Sequence, residues 1–232
     1  LIRDAKERGL RIRPVSVLHS DWKCTLEVDD ALRLGLCLVR GLQSTVGQRI
    51  AREGQKRAFA SLDDFRRRVE PDQAALRTLA RIGALNGLVD HRRDGLWKTA
   101  FPLRADDLPG FYLENEVPAP LSPMNAGERL AADFSGTGVT TGPHPMALLR
   151  SGLPEIHRAI DLAEVPEGEV VRMAGLVICR QRPGTAKGVV FVSLEDETGI
   201  SNAILYAAFF EKHRLLVTQE RFLIIEGPVQ NR

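Results

Sequence analysis

The spacing of apolar residues changes near residue 166, and this change constrains the fold more than any other feature of the chain. Before it, apolar residues recur three and four positions apart, which predicts helices. After it, four short segments rich in β-branched residues are bounded by Gly or Pro, which predicts strands. The sequence therefore predicts a multidomain α+β protein with a helical part followed by a β part.

In the first hundred residues the pattern predicts a helix ending at Gly9, a short strand over 11–17 and five further helices. Gly41 and Gly83 stand at predicted helix ends, and Ser44, Ser61 and Asp90 are predicted N-terminal caps. The five helices are expected over 29–39, 44–53, 61–69, 72–82 and 90–97.

The last third predicts strands over 170–179, 189–194, 201–206 and 222–226, with a helix over 208–218 before the last of them. Three strands, a helix and a strand make up most of the order of a five-stranded OB barrel. We expect the fifth strand to be missing, because the chain ends six residues after Glu226. We expect an incomplete C-terminal OB-fold β-barrel with an open edge.

Charge is unevenly distributed, although the net formal charge is only +2. Residues 1–100 hold 20 Lys and Arg against 13 Asp and Glu, whereas residues 101–168 hold 4 against 10. Prolines and Gly110 interrupt 103–123, and Pro166 precedes the change of pattern. We expect boundaries near 101 and 166, with an acidic connecting segment between them.

Composition excludes several classes of protein. The charge balance excludes a histone-like chain, and no apolar run approaches the ~18 residues that span a bilayer. Three scattered cysteines indicate a reducing compartment without a disulfide framework or a Cys-x-x-Cys metal site. The chain begins at Leu1 without an initiator Met, so we expect it to be part of a longer protein.

The stretch 36–50 resembles a helix-hairpin-helix motif, in which two helices meet at a turn centred on Gly41. Gly47 is expected to let the helices approach closely. The backbone N–H groups of such a turn, with the following helix N-terminus, point at one DNA phosphate. The motif usually has a second glycine at the position of Gln43. The alternative is an ordinary pair of helices in a bundle.

The stretch 79–88 followed by 91–93 looks like a second, degenerate copy, so we expect a tandem arrangement that grips duplex DNA. Arg92 and Arg93 lie in the first turn of a predicted helix, where cations oppose the helix dipole, and a nearby phosphate would explain them. Solvated arginines are the alternative. The predicted duplex phosphate-binding residues are Arg40, Gly41, Gln43, Ser44, Arg49, Gly83, Arg92 and Arg93.

The loop over 180–188 joins the first two predicted strands and carries three cations and two glycines. In OB folds this loop borders the face that binds single strands. The alternative is a plain hairpin connection. The predicted single-strand-binding residues are Arg180, Arg182, Thr185, Lys187, Phe191 and Tyr206.

Other patterns do not carry a site. The glycine-rich stretch 136–142 has the wrong spacing for a dinucleotide loop and lacks a preceding strand. The acidic stretch 195–197 is interpreted as a solvated turn rather than a divalent metal site. The five histidines have no ligand spacing, and no nucleophile–base arrangement is visible.

Taken together, the stretches 19–27, 34–36 and 39–42 resemble the end of the fingers and the hairpin domain of bacterial C-family DNA polymerases. Gly142-Pro143-His144-Pro145-Met146 is similar to the segment that precedes their OB domain. The stretches 182–188 and 194–199 are most similar to the error-prone, damage-inducible branch of that family, which is related to the polymerase III α subunit.

The resemblance implies a division into an end of the fingers (1–25), a tandem helix-hairpin-helix domain (26–100), a connecting segment with short helices (101–165) and an incomplete OB domain (166–232). The intact protein would be a DNA-directed DNA polymerase that uses Mg²⁺ in damage-induced mutagenesis and translesion synthesis. This chain would hold duplex and single-stranded DNA, with no catalytic, metal or cofactor residue of its own.

The resemblance also implies partners and location. A bacterial cytoplasmic protein without membrane contact is expected, recruited to the sliding clamp indirectly through an accessory mutagenesis protein. The alternatives are a replicative polymerase III α fragment, a non-enzymatic OB module that binds RNA, and a protein-interaction platform built on the acidic segment.

Overall fold

A computed structural model describes residues 5, 8–100, 120–153 and 155–230 of the protein. The chain divides into two compact units, Leu1–Gly142 and Pro143–Arg232. Residues 120–142 of the expected connecting segment thus belong to the first unit and residues 143–165 to the second. Most of the predicted helix over 1–9 and of the Pro-rich interruption lies outside the described residues.

The first unit consists mainly of helices around one apolar core. Leu36, Ile50, Phe65, Leu79 and Leu85 are fully buried in it. Ser61 accepts a hydrogen bond from the Asp64 amide, and Asp72 accepts one from the Ala75 amide, so each starts a helix. The described elements are β1 (Ile12–Arg13), β2 (Thr25–Leu26), β3 (Leu32–Arg33), a 3-10 turn (Leu36–Leu38), α1 (Ser44–Lys56), α2 (Leu62–Val69), α3 (Gln73–Arg81), α4 (Arg92–Ala100) and α5 (Ala126–Thr137).

The predicted helix over 29–39 is wrong. Leu32 and Arg33 of β3 pair in parallel with β1 and antiparallel with β2. Gly35 passes so close to Lys23 that a Cβ would fall within 3.0 Å of the Lys23 backbone. Pairing with strands distant in sequence therefore overrides the local helical spacing, and the first hairpin begins with a 3-10 turn instead of a helix.

The second unit confirms the predicted order of strands and helix. Its described elements are α6 (Pro145–Leu149), 3-10 turns (Arg150–Gly152, Ala159–Glu164), β4 (Val170–Gln181), β5 (Val190–Glu195), β6 (Ile200–Leu205), α7 (Ala207–Lys212), α8 (Arg214–Gln219) and β7 (Phe222–Pro228). The four strands form an antiparallel sheet in the order β6-β5-β4-β7, and the helix predicted over 208–218 is divided in two at His213.

Alternation gives the sheet an inner and an outer face. On β5, Val190, Val192 and Leu194 are buried against Phe210 of α7 and Val217 of α8. The residues between them therefore point to the opposite, outer face, where Phe191 lies beside Ile204 of β6.

Candidate nucleic-acid interface

The N-terminus of α1 is exposed and has no side-chain cap. The other four described helices of eight or more residues each have a side chain that caps the N-terminus. Ser61, Asp72 and Asn125 cap α2, α3 and α5, and His91 Nδ1 accepts the Asp94 amide at the start of α4. The first amides of α1 are left for water or an external acceptor, and the helix dipole favours an anion there.

Four of the predicted duplex-binding residues lie at this terminus: Arg40, Gly41, Gln43 and Ser44, all exposed. Gly41 has φ +77°, and a Cβ on it would meet nothing within 4 Å, so the turn needs glycine for its backbone conformation and leaves open space beside it. The Arg40 guanidinium makes one long contact, 3.4 Å from Nη1 to the Ser135 carbonyl oxygen. We call residues 39–43 the first turn.

Two expectations about this hairpin are wrong. Ser44 is the first residue of α1 and does not cap it, because Gln43 occupies the cap position. Gly47 does not admit a second helix, because the ring of Trp22 occupies that place, and a Cβ on Gly47 would fall within 3.0 Å of Trp22 Cε3 and Cζ3. Gly47 therefore leaves room for the Trp22 indole to pack against α1.

Arg49 points away from the first turn. Its Nη1 donates to the Val69 carbonyl oxygen at 3.0 Å, and Glu70 Oε2 lies 3.5 Å away. This arginine thus serves the C-terminal end of α2, where a cation is favourable.

The second hairpin, α3 to α4, turns at Gly83 with φ +78°, as predicted. Its arginines have partners within the chain. Arg92 Nη1 lies 2.7 Å from Asp133 Oδ1 with each side chain 14% exposed, and Arg93 Nη2 lies 2.5 Å from Glu128 Oε1. The Arg92 side chain also covers Gly83, where a Cβ would lie 2.7 Å from Arg92 Nε. Two acidic residues of α5 therefore explain the arginines without a phosphate.

The predicted cap of α4 is shifted by one residue. His91 accepts the Asp94 amide at 3.0 Å, while the Asp94 carboxylate accepts the Asp90 amide at 3.1 Å. Asp90 is therefore a hydrogen-bond donor through its backbone and not the cap.

In the second unit, the outer face of the sheet exposes an aromatic residue among aliphatic ones. Phe191 is 36% exposed, and it lies between Ile204 of β6 and Gln181 of β4. Tyr206, directly after β6, is 65% exposed. Both predicted aromatics are therefore available for stacking.

The predicted basic loop divides into two groups. Thr185 and Lys187 are exposed between β4 and β5. Arg180 instead donates from Nε to the Val217 carbonyl oxygen at 2.6 Å, and it also donates to the Glu220 carbonyl oxygen. Arg182 lies 3.1 Å from Glu211 Oε1 and stacks over the Phe210 ring. Arg180 and Arg182 thus hold α7 and α8 against the sheet.

Sequence reasoning missed a polar pair beside Phe191. Ser193 Oγ donates to Asn202 Oδ1 at 2.7 Å across β5 and β6, on the outer face. Strand alternation places both on the face of Phe191, and this period-2 signal could have identified them once the strands were aligned.

The acidic stretch 195–197 is not a solvated turn, so that interpretation is wrong. The Asp196 side chain is 1% exposed, and it accepts hydrogen bonds from the Thr198 and Gly199 amides, the Thr198 hydroxyl and the Ala159 amide. Burial alone would raise the pKa of Asp196, but these hydrogen bonds outweigh it and lower the pKa. The buried Asp196 carboxylate therefore stabilises the β5–β6 turn by accepting these hydrogen bonds.

The described residues contain no group of three or more His, Cys, Asp or Glu side chains that could hold a metal ion. The carboxylates of Asp196 and Glu197 are already engaged with amides and with Arg150. Both carboxylates therefore have partners within the chain, and neither is left free to coordinate Mg²⁺. Within the same part of the chain, no helix combines the length and apolar character that crossing a bilayer requires.

Comparisons with known proteins agree with this geometry. The family described as "Helix-hairpin-helix motif" matches residues 9–95, which include the first hairpin, the turn at Gly83 and the start of α4. A protein of Alkalilimnicola ehrlichii named error-prone DNA polymerase is 43% identical over 240 residues. Proteins of the same name from Aromatoleum aromaticum and Pseudomonas aeruginosa are 38% and 37% identical.

The matches cover the chain almost completely but only part of each relative. They include 98% to 100% of this chain and 23% of each of these three proteins. The chain therefore spans about a quarter of the length of its relatives. Over nearly its whole length, the chain is therefore similar to one part of proteins named error-prone DNA polymerase.

Proposed function

We propose that this chain is a DNA-holding part of an error-prone DNA polymerase that acts in damage-induced mutagenesis and translesion synthesis. The observation that carries the proposal is the exposed, uncapped N-terminus of α1 beside the left-handed Gly41. The family match and the relatives' names support it. The intact protein would carry out the polymerase chemistry with Mg²⁺ in the bacterial cytoplasm. It would reach the sliding clamp through an accessory protein.

The first turn would bind one phosphate of duplex DNA. The free amides at the start of α1 would donate to a phosphate oxygen, as helix N-termini commonly do. Ser44 and Gln43 offer further donors at the same place, and the exposed donors of Arg40 add a positive charge. Such contacts read no base, so we expect duplex binding without sequence preference.

Arg49, Gly83, Arg92 and Arg93 are left out of this contact. Arg49 serves the end of α2, and Arg92 covers Gly83 while it is paired to Asp133. A phosphate would have to displace a carboxylate at 2.7 Å to reach Arg92, and breaking such a largely buried ion pair is costly.

The outer face of the second unit would bind single-stranded template. The observed strand order, with helices before β7, supports an OB-like fold, and OB folds bind oligonucleotides on one face of the sheet. One base would stack on Phe191 while Lys187 and Thr185 meet the backbone, and Tyr206 offers a second stacking surface. Arg180 and Arg182 are structural in this scheme because of their contacts to α7 and α8.

Fluorescence anisotropy with a labelled duplex, measured from low to moderate salt, tests the duplex contact. Arg40→Ala should weaken binding equally for all sequences and flatten the salt slope by about 1. Arg77→Ala, an exposed arginine on α3, is the matched control and should leave the slope unchanged.

The same titration with structured RNA separates a polymerase part from an RNA-binding module. Preference for duplex DNA over structured RNA is expected. Equal slopes for Arg40→Ala and the unmodified chain would remove the first turn from the interface, and tighter RNA binding would favour the RNA module.

A further inference from the structure

Helix α5 contacts both hairpin turns through its backbone. The Gly136 carbonyl oxygen accepts a hydrogen bond from the Arg40 amide at 2.7 Å, in the first turn. On the same residue, a Cβ would fall within 3.0 Å of Ile82 Cγ2, directly before Gly83 of the second turn. Gly136 therefore allows α5 to lie against both turns at once.

One turn before Gly136, α5 is held by an ion pair and hydrogen bonds of Asp133. Asp133 binds Arg92 through Oδ1 at 2.7 Å and the Thr140 hydroxyl through Oδ2 at 2.8 Å. Arg92 also donates to the Arg129 carbonyl oxygen at 3.1 Å, and Arg93 donates to the Ser122 carbonyl oxygen at 2.9 Å. Both arginines of α4 are thus directed at α5, and α5 cannot shift without breaking several contacts.

We infer that α5 is a positioning helix that orients the first turn for phosphate by fixing it against the second hairpin. The inference rests on the proposed function, and it assigns to the second hairpin a supporting role instead of a phosphate contact. A turn that is already held in its binding conformation loses less conformational entropy when it binds. Asp133 and Gly136 act through Arg40 and the first turn, so they are positioning residues.

The two roles that Asp133 could have predict opposite changes in duplex affinity when its carboxylate is removed. If Arg92 contacted phosphate, the Asp133 carboxylate would compete with DNA, and its removal would raise affinity. If Asp133 anchors α5, its removal lowers affinity even though a negative charge has been lost. The sign of one substitution therefore separates the two roles.

The test measures duplex affinity by anisotropy for Asp133→Asn in the full chain. We expect a three- to tenfold loss. Glu70→Gln, which removes a carboxylate that is 76% exposed in the same unit, is the matched control and should leave affinity equal or slightly higher. An affinity for Asp133→Asn equal to or above that of the control would overturn the inference.

A second pair of variants protects the test against loss of folding. Gly136→Ala should weaken binding because the new methyl group meets Ile82 Cγ2, and Ile82→Leu in the same chain should restore binding because leucine has no Cγ2 methyl. Trp22 and Trp97 report whether the first unit stays folded. Failure of the double variant to recover affinity would overturn the role of Gly136.

Hydrogen exchange of the Arg40 amide, followed by NMR, tests α5 without DNA. Exchange should be faster in Asp133→Asn and Gly136→Ala and slow again with Ile82→Leu. Unchanged exchange in both single variants would overturn the positioning role. If the unmodified chain does not bind duplex, the proposed function fails by itself, and the exchange rates alone decide whether α5 holds the turn.

Discussion

Substituting Asp196 by asparagine should destabilise the second unit while the first unit is unaffected. The amide side chain would keep one oxygen for the Thr198 and Gly199 amides, which now lie 2.7 and 2.9 Å from Oδ1. An NH₂ group would replace Oδ2, which accepts the Ala159 amide at 2.8 Å and faces Arg150 at 3.3 Å. The new NH₂ group would then face two other donors in a buried place.

The cost follows from these contacts. A buried donor left without its acceptor costs about 1–3 kcal/mol, and breaking a buried charged pair costs about 3–5 kcal/mol. Because the Ala159 amide and the Arg150 pair share Oδ2, we expect a loss of roughly 2–5 kcal/mol for the second unit. Glu197→Gln leaves the Asp196 contacts in place and changes a carboxylate that is 19% exposed, against 1% for Asp196, so it should cost less than Asp196→Asn.

The assay uses the uneven placement of the chromophores. Both tryptophans, Trp22 and Trp97, belong to the first unit, while the four-stranded sheet belongs to the second. In urea unfolding of the full chain, Asp196→Asn should lower the midpoint seen by circular dichroism of the sheet and leave the tryptophan transition in place.

The effect of pH gives a further check on the same substitution. The folded-state pKa of Asp196 is lowered from 3.8, so the ionised carboxylate stabilises the fold above that pH, and this stability is lost as pH falls through the folded pKa. The difference in stability between the unmodified chain and Asp196→Asn should therefore shrink in acid. A cost as small as that of Glu197→Gln, or a cost independent of pH, would refute the reasoning.

Other substitutions test packing and the single-strand site. Gly47→Ala should destabilise the first unit, because its Cβ meets the Trp22 ring. Gly54→Ala on the same helix makes only ordinary contacts, with Phe59 Cε2 at 3.5 Å and the Val17 carbonyl oxygen at 3.9 Å, and should stabilise the first unit by about 0.5–1 kcal/mol. Urea midpoints from tryptophan fluorescence measure both, and equal signs would contradict the packing at Gly47. Lys187→Glu should weaken binding of a single-stranded oligonucleotide and leave duplex binding nearly intact, and a parallel loss of both would show that the loop is structural. Phe191→Ala should cost about 1–3 kcal/mol of single-strand affinity. Ile224→Ala, a substitution on β7 on the same outer face of the sheet, should cost little. Equal losses of affinity would argue against stacking of a base on Phe191.

The sequence predicted helix caps, glycine turns and strand positions, because each of these depends on residues that are close together in the chain. Ser61 and Asp72 cap helices because their side chains reach amides three residues away, and Gly41 and Gly83 end turns because their backbones need a left-handed conformation. The positions of the strands along the second unit follow from β-branched runs bounded by Gly and Pro.

Contacts between distant residues explain what the sequence could not predict. The spacing at 29–39 is helical, but Leu32 pairs with Ile12, twenty residues earlier, and this pairing decides its structure. Arg92 and Asp133 are 41 residues apart, so their ion pair leaves no periodic signal in the chain. For this reason the pattern around α4 predicted a phosphate for its arginines, and the role of α5 was visible only in the structure.

Duplex affinity of Ser44→Asp tests the central claim most directly, because it separates stability from binding. An acidic side chain at the start of α1 interacts favourably with the helix dipole, worth about 0.3–1 kcal/mol, yet it occupies the place of the phosphate and repels it. Gln55→Glu, about 16 Å farther along the same helix, adds the same charge as a control. We predict that Ser44→Asp keeps or raises the urea midpoint of the first unit and lowers duplex affinity at least about tenfold relative to Gln55→Glu. Equal duplex affinities for these two variants would contradict the account.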